Sequence, residues 1–474
     1  MQLKILTEDN IRYIDKSAKK ILAQTGVLVP HEQMLEKLDK AGAEVSKASG
    51  RVKIPPELID ECVSQAGKSF TIYGRDREKK AEFCQGKRNY NSSSGQAHWI
   101  DRQGNRRFAC HDDVLDAAQL GDVLPEITVV GAMSDPHEID ISYRCVQVAA
   151  TLLKATTKPI TFWFYNRASA KYIVELLTAV AGSQENLARY PLTYPFLEPI
   201  SPLRFDTNGI DLLLETSAIP LPVSIGPMAQ AGLSAPGTLA ATVTQETAEI
   251  LAGICVVQLI RPGTPVCFGG ICHAFDMRTM QIIFGGPEQA LMAAACAQIG
   301  NYYGLPVYTN TGLTDSKCVD AQAGIEISAT LLMAALAGSV IFGHLGIAGA
   351  DQGASLEMLF LQHEVIEYVE RIMKGFSIND EKLALDVIDE VGHNGTFIDH
   401  VHTAMNFREE LWMPKTLNRS SWSEWQNDGC PNLASIIEPK INELVQTYKP
   451  EPLPGDLGRE IDSLVSQAQK KLTE

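Results

Sequence analysis

From about residue 120 the chain repeats one phrase: a helical stretch of small and apolar residues, a Gly or Pro turn, then a short β-rich run. The run appears as TKPITFWF at 157–164, IPLPVSIGP at 219–227, PGTPVCFGG at 262–270 and GLPVYTNTG at 304–312, with AGSVIFGH at 337–344 as a variant lacking proline. PLTYPFLEP at 191–199 and EITVVGAM at 126–133 bring the candidate strands to seven. They recur every 30–40 residues or so, roughly enough for one helix and two loops. Proline sits at the strand start, where its missing N–H disturbs a ladder least. The runs are apolar without clean alternation, as expected when both faces of a parallel sheet are buried. Between them, segments such as PEQALMAAACAQIGNYYG and DAQAGIEISATLLMAALAG read as helices. This alternation predicts an α/β fold, a (β/α)8 (TIM) barrel ahead of an open doubly wound sheet. The dinucleotide-binding version of the latter is weakened because no GxGxxG follows the first strands.

The flanks break the pattern. Residues 1–120 hold two helical patterns, Asn10–Gln24 and His31–Ala41, then a strand-and-turn region, and are expected to form an α/β extension. The barrel is expected over 121–400, and 401–474 as a helical C-terminal extension packed on it. Two uncharged runs, Ala290–Tyr308 and Ile327–Gly343, approach membrane-spanning length. Tyr303-Gly304-Leu305-Pro306 interrupts one and Gly338-Ser339 the other, so each is expected to be a buried helix followed by a strand.

Composition narrows the partners. A formal charge of −16 disfavours nucleic acid and anionic membrane. Ten cysteines are scattered without a CxxC pair, and the sequence opens with no apolar leader or Arg-rich presequence. Both features lead to the expectation of a reducing, cytoplasmic setting.

In a (β/α)8 barrel the ligand site forms at the C-terminal ends of the strands. Those ends supply Phe162, Trp163, Tyr165 and Asn166; Tyr194, Phe196 and Glu198; Gln230; His273 and Phe275; Tyr308 and Asn310; and His344. The loop NTGLTDSKCVDAQAGIE at 310–326 adds Asp315, Lys317 and Asp320, of which the aspartates also suit a helix N-cap. Aromatic and neutral polar groups dominate this set. GxSxG and the P-loop are absent, and Cys272-His273 is a weak basis for zinc. His400 and His402 lack the i, i+4 spacing of helix-borne ligands. A mouth lined by rings and without an evident nucleophile suits a cation of little hydrogen-bonding capacity, such as a quaternary ammonium.

Three groups of motifs carry a resemblance over about residues 15–430: ILAQTGVLVP, RVKIPPELID and TIYGRD; GLTDSKCVDAQAGIE with the helix after it; and HNGTFIDHVHTAMNFREELWMPKTLNRSSWSEW. The chain resembles the trimethylamine methyltransferase family, in particular members that lack pyrrolysine and demethylate quaternary amines such as glycine betaine, proline betaine or carnitine. The resemblance implies a (β/α)8 barrel that docks a cognate corrinoid protein and passes a methyl group to its Co(I). Cobalamin is then presented by the partner, with no cofactor or metal held permanently. Tertiary-amine members carry pyrrolysine near the barrel mouth, whereas this sequence has only the twenty common residues. That departure fits the chemistry, because a quaternary nitrogen leaves as a neutral amine. Neither a general acid nor a covalent adduct is needed, so no catalytic residue is assigned and positioning is expected to do the work.

The expected substrate-binding residues are Trp163, Tyr165, Phe196, Phe275 and Tyr308 for the ammonium, and His273, Lys317 and His344 for a carboxylate, with Asn310 beside them. The rim loops 232–238, 312–320 and 345–353 are expected to meet the corrinoid protein, and a homo-oligomer is expected. Two alternatives remain open at this point: a metal-dependent (zinc) barrel enzyme using His273, His344 and Asp351, and a non-catalytic betaine-binding protein.

Overall fold

The computed structural model describes residues 2–101 and 103–474. Eight short parallel strands form its centre: β1 (Asn89–Ser92), β2 (Val130–Gly131), β3 (Ile160–Thr161), β4 (Phe196–Leu197), β5 (Val223–Ile225), β6 (Val266–Gly270), β7 (Val307–Thr309) and β8 (Ile341–Leu345). β4 to β8 pair in sequence and β8 pairs with β1, while β2 pairs with β3. Backbone bonds close both seams, Ser92 N–H donating to Val129 C=O (3.1 Å) and Ile160 N–H to Leu192 C=O (3.1 Å). The ring is therefore a barrel.

A helix follows each strand: α1 (His111–Val123), α2 (Arg144–Ala155), α3 (Arg167–Ala181), α4 (Thr207–Thr216), α5 (Leu239–Ile260), α6 (Pro287–Tyr302), α7 (Ala321–Ala337) and α8 (Leu356–Lys374). Their boundaries follow local chemistry. Pro287 opens α6, where the missing N–H would have had no partner in any case. Asp320 caps α7 by accepting from Ala323 N–H (2.8 Å), and Gly338 at φ +99° ends it. Both uncharged runs resolve into a helix and then a strand, α6 with β7 and α7 with β8. Among the described residues one helix, α5, is long and apolar enough to cross a membrane by composition, and 83 % of its apolar window is buried within the fold.

All seven strand-like runs lie on the barrel. The eighth strand, β1, comes from Asn89–Ser92, ahead of the 121–400 span expected for the barrel. Its alternate residues Asn89 and Asn91 are polar yet buried, and Asn91 Nδ2 donates to the Tyr194 hydroxyl (2.8 Å). A hairpin, Phe70–Tyr73 with Lys80–Phe83, closes the N-terminal end of the barrel, with Phe83 packed edge-on to Tyr194 (5.4 Å). Helix Glu8–Gln24 packs on α5. Beyond α8 the chain is helical to its end, in short helices between 380 and 427 and longer ones at Leu433–Thr447 and Gly455–Leu472. Over the opposite, C-terminal end lie two small sheets: Gln230–Ala231 with His273–Asp276 and Gln281–Ile283, and His98–Ile100 with Arg106–Phe108, Ile347–Ala348 and Gly353–Ala354.

Candidate active site

A cavity of about 430 Å³ opens at the C-terminal ends of β3, β4 and β5. Trp163 and Phe196 form its aromatic walls, Met228 and Leu212 add apolar surface, and Glu198 and Asp206 bring carboxylates. Two further rings pack against those walls. Tyr308 meets Phe196 edge to face with centroids 5.4 Å apart, and His344 lies 5.9 Å from Trp163. The Trp163 indole is fixed because its N–H donates to the Gly95 carbonyl (3.0 Å).

Backbone irregularity aims His344. The β8 register against β1 slips between Phe342 and Leu345, and His344 sits at φ +62°, a conformation costly for a residue with a Cβ. A bulge at a barrel rim redirects one side chain out of the ladder alternation, and here it delivers the imidazole to Trp163. Burial pushes the His344 pKa down to about 4, so the ring is neutral near pH 7. Glycine makes room for the neighbouring tyrosine: a Cβ on Gly343 would lie 2.7 Å from Tyr308 Cε2, and nearer still to its Cζ and hydroxyl oxygen.

Glu198 is the group that sequence reasoning collected without ranking. It lines the cavity and is open to solvent there. Burial, with Asp351 and Asp206 nearby, pushes its pKa up to about 7. Asp351, held by Gln96 Nε2 (2.6 Å), is pushed up to about 6 by the same enclosure. The charges acting on Glu198 are thus negative ones, and the cavity wall carries an uncompensated carboxylate. A bare Glu in a sequence carries no sign of such enclosure, so only the fold makes it stand out.

The remaining expected residues are placed as follows. His273 is fully buried beside Phe284 (4.2 Å), with burial pushing its pKa down to about 3. Its Nδ1 faces the Ile283 carbonyl at 3.2 Å, which requires a proton on Nδ1 and leaves Nε2 as a buried acceptor without a partner. Asn310 is buried with Oδ1 unpaired, while its carbonyl accepts from Gln289 Nε2 (3.0 Å). The Tyr165 hydroxyl donates to Asp135, which also pairs with the buried Arg144 (3.1 Å). Phe275 lies in the lid strand His273–Asp276, half-buried.

Lys317 is exposed, and its Nζ donates to the carbonyl of Asp315 (2.8 Å) in its own loop. The polarity of 310–326 is spent largely on that loop. Asp315 accepts from Phe284 N–H (2.7 Å), and Glu326 accepts from Thr314 Oγ1 (2.6 Å) and Asp315 N–H (2.8 Å). The structure therefore brings Trp163, Phe196, Tyr308 and His344 together and leaves Tyr165, Phe275 and Lys317 outside that group. Among the described residues no three His, Cys, Asp or Glu side chains converge as a metal would require, and His273, His344 and Asp351 form no such set.

Comparison with known proteins gives the family. Residues 1–473 match the family described as Trimethylamine methyltransferase (MTTB), and the chain belongs to that family. It is a methyltransferase, as its relatives are. The Glycine betaine methyltransferase of Desulfitobacterium hafniense strain Y51 is 28 % identical over 472 residues, covering 99 % of this chain and 98 % of that protein. Trimethylamine methyltransferase MttB of Methanosarcina barkeri is 26 % identical over 477 residues, covering 99 % and 96 %. The crystal structure of the Methanosarcina barkeri monomethylamine methyltransferase aligns with a TM-score of 0.46 at 14 % identity, covering 98 % of this chain and 93 % of that one.

Proposed function

We propose that this methyltransferase moves a methyl group from a small quaternary amine, of the glycine betaine, proline betaine or carnitine type, to a reduced corrinoid on a partner protein. The observation that carries this reading is the pairing of Trp163 and Phe196 with the unpaired Glu198 around one cavity. Ring faces attract a quaternary ammonium by about 0.5–2 kcal/mol each, and a carboxylate in a partly enclosed site adds Coulomb attraction that water does not fully screen. Support also comes from the family and from the likeness to a glycine betaine methyltransferase.

The partner's Co(I) supplies the nucleophile that receives the methyl group. The C–N bond breaks with its electron pair remaining on nitrogen, so the departing amine is neutral and takes no proton. This chain then has to hold one methyl group toward the mouth of the barrel, exclude water and avoid competing nucleophiles. Its groups suit that task. His344 and His273 are neutral near pH 7, and the thiols of Cys267 and Cys272 are held protonated, the first by burial and the second by its contact with Cys296 together with burial.

For the far end of a betaine we assign His344 to the carboxylate, through a neutral N–H. His273 Nε2 has a lone pair and no proton, so it suits a substrate hydroxyl, as carnitine carries, better than a carboxylate. The corrinoid protein is assigned to the rim loops 232–238, 312–320 and 345–353. The first of these exposes Leu233, and the adjoining lid exposes Met277 and Met280, giving that rim an apolar contact surface.

Calorimetric titration of the free enzyme with trimethylammonium compounds tests the site. Tyr308→Ala, Trp163→Ala and Glu198→Gln are each expected to weaken binding roughly tenfold or more without unfolding the protein. Full affinity in all three would place the substrate elsewhere.

A further inference from the structure

The barrel, its lids and its N-terminal helices all have cores, but one segment does not. After α8 the chain runs from Phe376 to Trp422 through helices Asp380–Leu383, Leu385–Val391 and Val401–Glu410, and none of the three contains a buried residue. They are nonetheless rich in large apolar side chains. Phe376, Ile378, Leu385, Ile398, Val401 and Met405 are each between 67 % and 84 % exposed, and Leu383, Ile388, Phe397, Leu411, Met413 and Trp422 are exposed as well. At on the order of 100 Å² apiece, these twelve side chains present about 1,200 Å² of apolar surface. The largest apolar patch on an ordinary monomer is about 300–600 Å², while a stable protein–protein interface needs about 800 Å² from each partner.

Position and charge select the occupant. The arm is anchored through Trp412 on Tyr368 (5.3 Å) and Lys415 on Glu367, near the end of α8. Beside Trp412 and Met413 lie Arg88, Tyr90, Glu126 and Thr128, which precede or begin β1 and β2. The arm therefore sits at the N-terminal end of the barrel, opposite the cavity. A methyl-accepting partner has to reach the cavity, so it does not cover the arm in the same engagement. Between Phe376 and Trp422 there are eight acidic residues against Lys382, Arg408, Lys415 and Arg419, a negative balance that an anionic lipid surface repels. A two-fold pairing of the same segment remains, and it doubles the buried area into the range of obligate dimers.

We infer that Phe376–Trp422 is an arm by which two copies of this chain associate through the ends of their barrels remote from the active site. Light scattering coupled to gel filtration tests it with the full-length protein and the variant Ile398→Glu/Met405→Glu. The wild type is expected to self-associate and the variant to run as a monomer with the same circular dichroism. Amide exchange on wild-type protein supplies a readout that needs no variant: exchange in 376–411 should accelerate on dilution while the barrel strands stay protected. A monomeric wild type would overturn the inference. So would self-association that the substitutions leave intact, or protection of 376–411 that appears only when the corrinoid protein is added.

Discussion

Gly343→Ala probes how the aromatic wall is held. Gly343 lies in β8, and Tyr308 comes from the neighbouring strand β7. A Cβ at position 343 would enter the space of the Tyr308 ring, with Cε2 at 2.7 Å and Cζ and the hydroxyl oxygen nearer, all inside the 3.0 Å limit that real Cβ contacts respect. The ring is 4 % exposed and backed by Phe196, so it can yield only by pushing Phe196 toward the cavity. Overpacking of this kind costs about 1–3 kcal/mol. Removing the ring instead, in Tyr308→Ala, leaves a cavity and costs about 3–5 kcal/mol. The two effects share one volume. In the Tyr308→Ala background the added methyl occupies vacated space, so the penalty of Gly343→Ala should vanish, a coupling of about 1–3 kcal/mol. Unfolding midpoints of the four proteins measure this, and substrate KM read in parallel should rise in Gly343→Ala as Phe196 is pressed into the cavity. Equal penalties for Gly343→Ala with and without the Tyr308 ring would refute the packing argument.

Four further expectations concern charge and support. The Glu198 pKa is raised to about 7, so the carboxylate that attracts a cation forms as pH rises through 7; substrate affinity should strengthen over that interval in the wild type and stay flat in Glu198→Gln. In the empty enzyme the same raised pKa costs stability as pH climbs from the unfolded carboxyl value toward 7, and a bound cation offsets it, so ligand-induced thermal stabilisation should be larger at pH 8 than at pH 6. Lys317→Ala should change substrate KM by less than about twofold, since an exposed ammonium tied to its own loop contributes little. Lys158→Met should destabilise by about 3 kcal/mol in a urea titration, because the buried Nζ donates to the carbonyls of Gly121 (3.0 Å), Leu124 (2.6 Å) and Ile127 (2.7 Å), which would be left unpaired.

The fold was legible where side chains follow the general rule for buried strands. PGTPVCFGG and GLPVYTNTG read as strands because Val, Cys, Phe and Tyr fill both faces. Asn-Tyr-Asn-Ser did not read as β1, because its buried asparagines find their long-range partners only in the fold, Asn91 Nδ2 donating to Tyr194 and Asn89 Nδ2 to the Val340 carbonyl. A polar strand is recognised only when its partner is known. The site was legible to the same degree. Trp163, Phe196, Tyr308 and His344 follow from being at strand ends, but Lys317 shares that address and turns away, because Asp315 and Glu326 organise the loop from within. The His344 bulge and the enclosure of Glu198 arise from the register of β8 and from loops distant in sequence, and no local pattern encodes either one.

The central claim is that the cavity presents a quaternary amine to a corrinoid. It is tested most directly by anaerobic incubation of the purified protein with its corrinoid protein in the Co(I) state and a panel of glycine betaine, proline betaine, carnitine and trimethylamine. Absorbance follows the loss of Co(I) as the cobalt is methylated. The account predicts transfer from at least one quaternary amine, appearance of the matching tertiary amine, and none from trimethylamine. Transfer from trimethylamine with silence across the quaternary amines would contradict it.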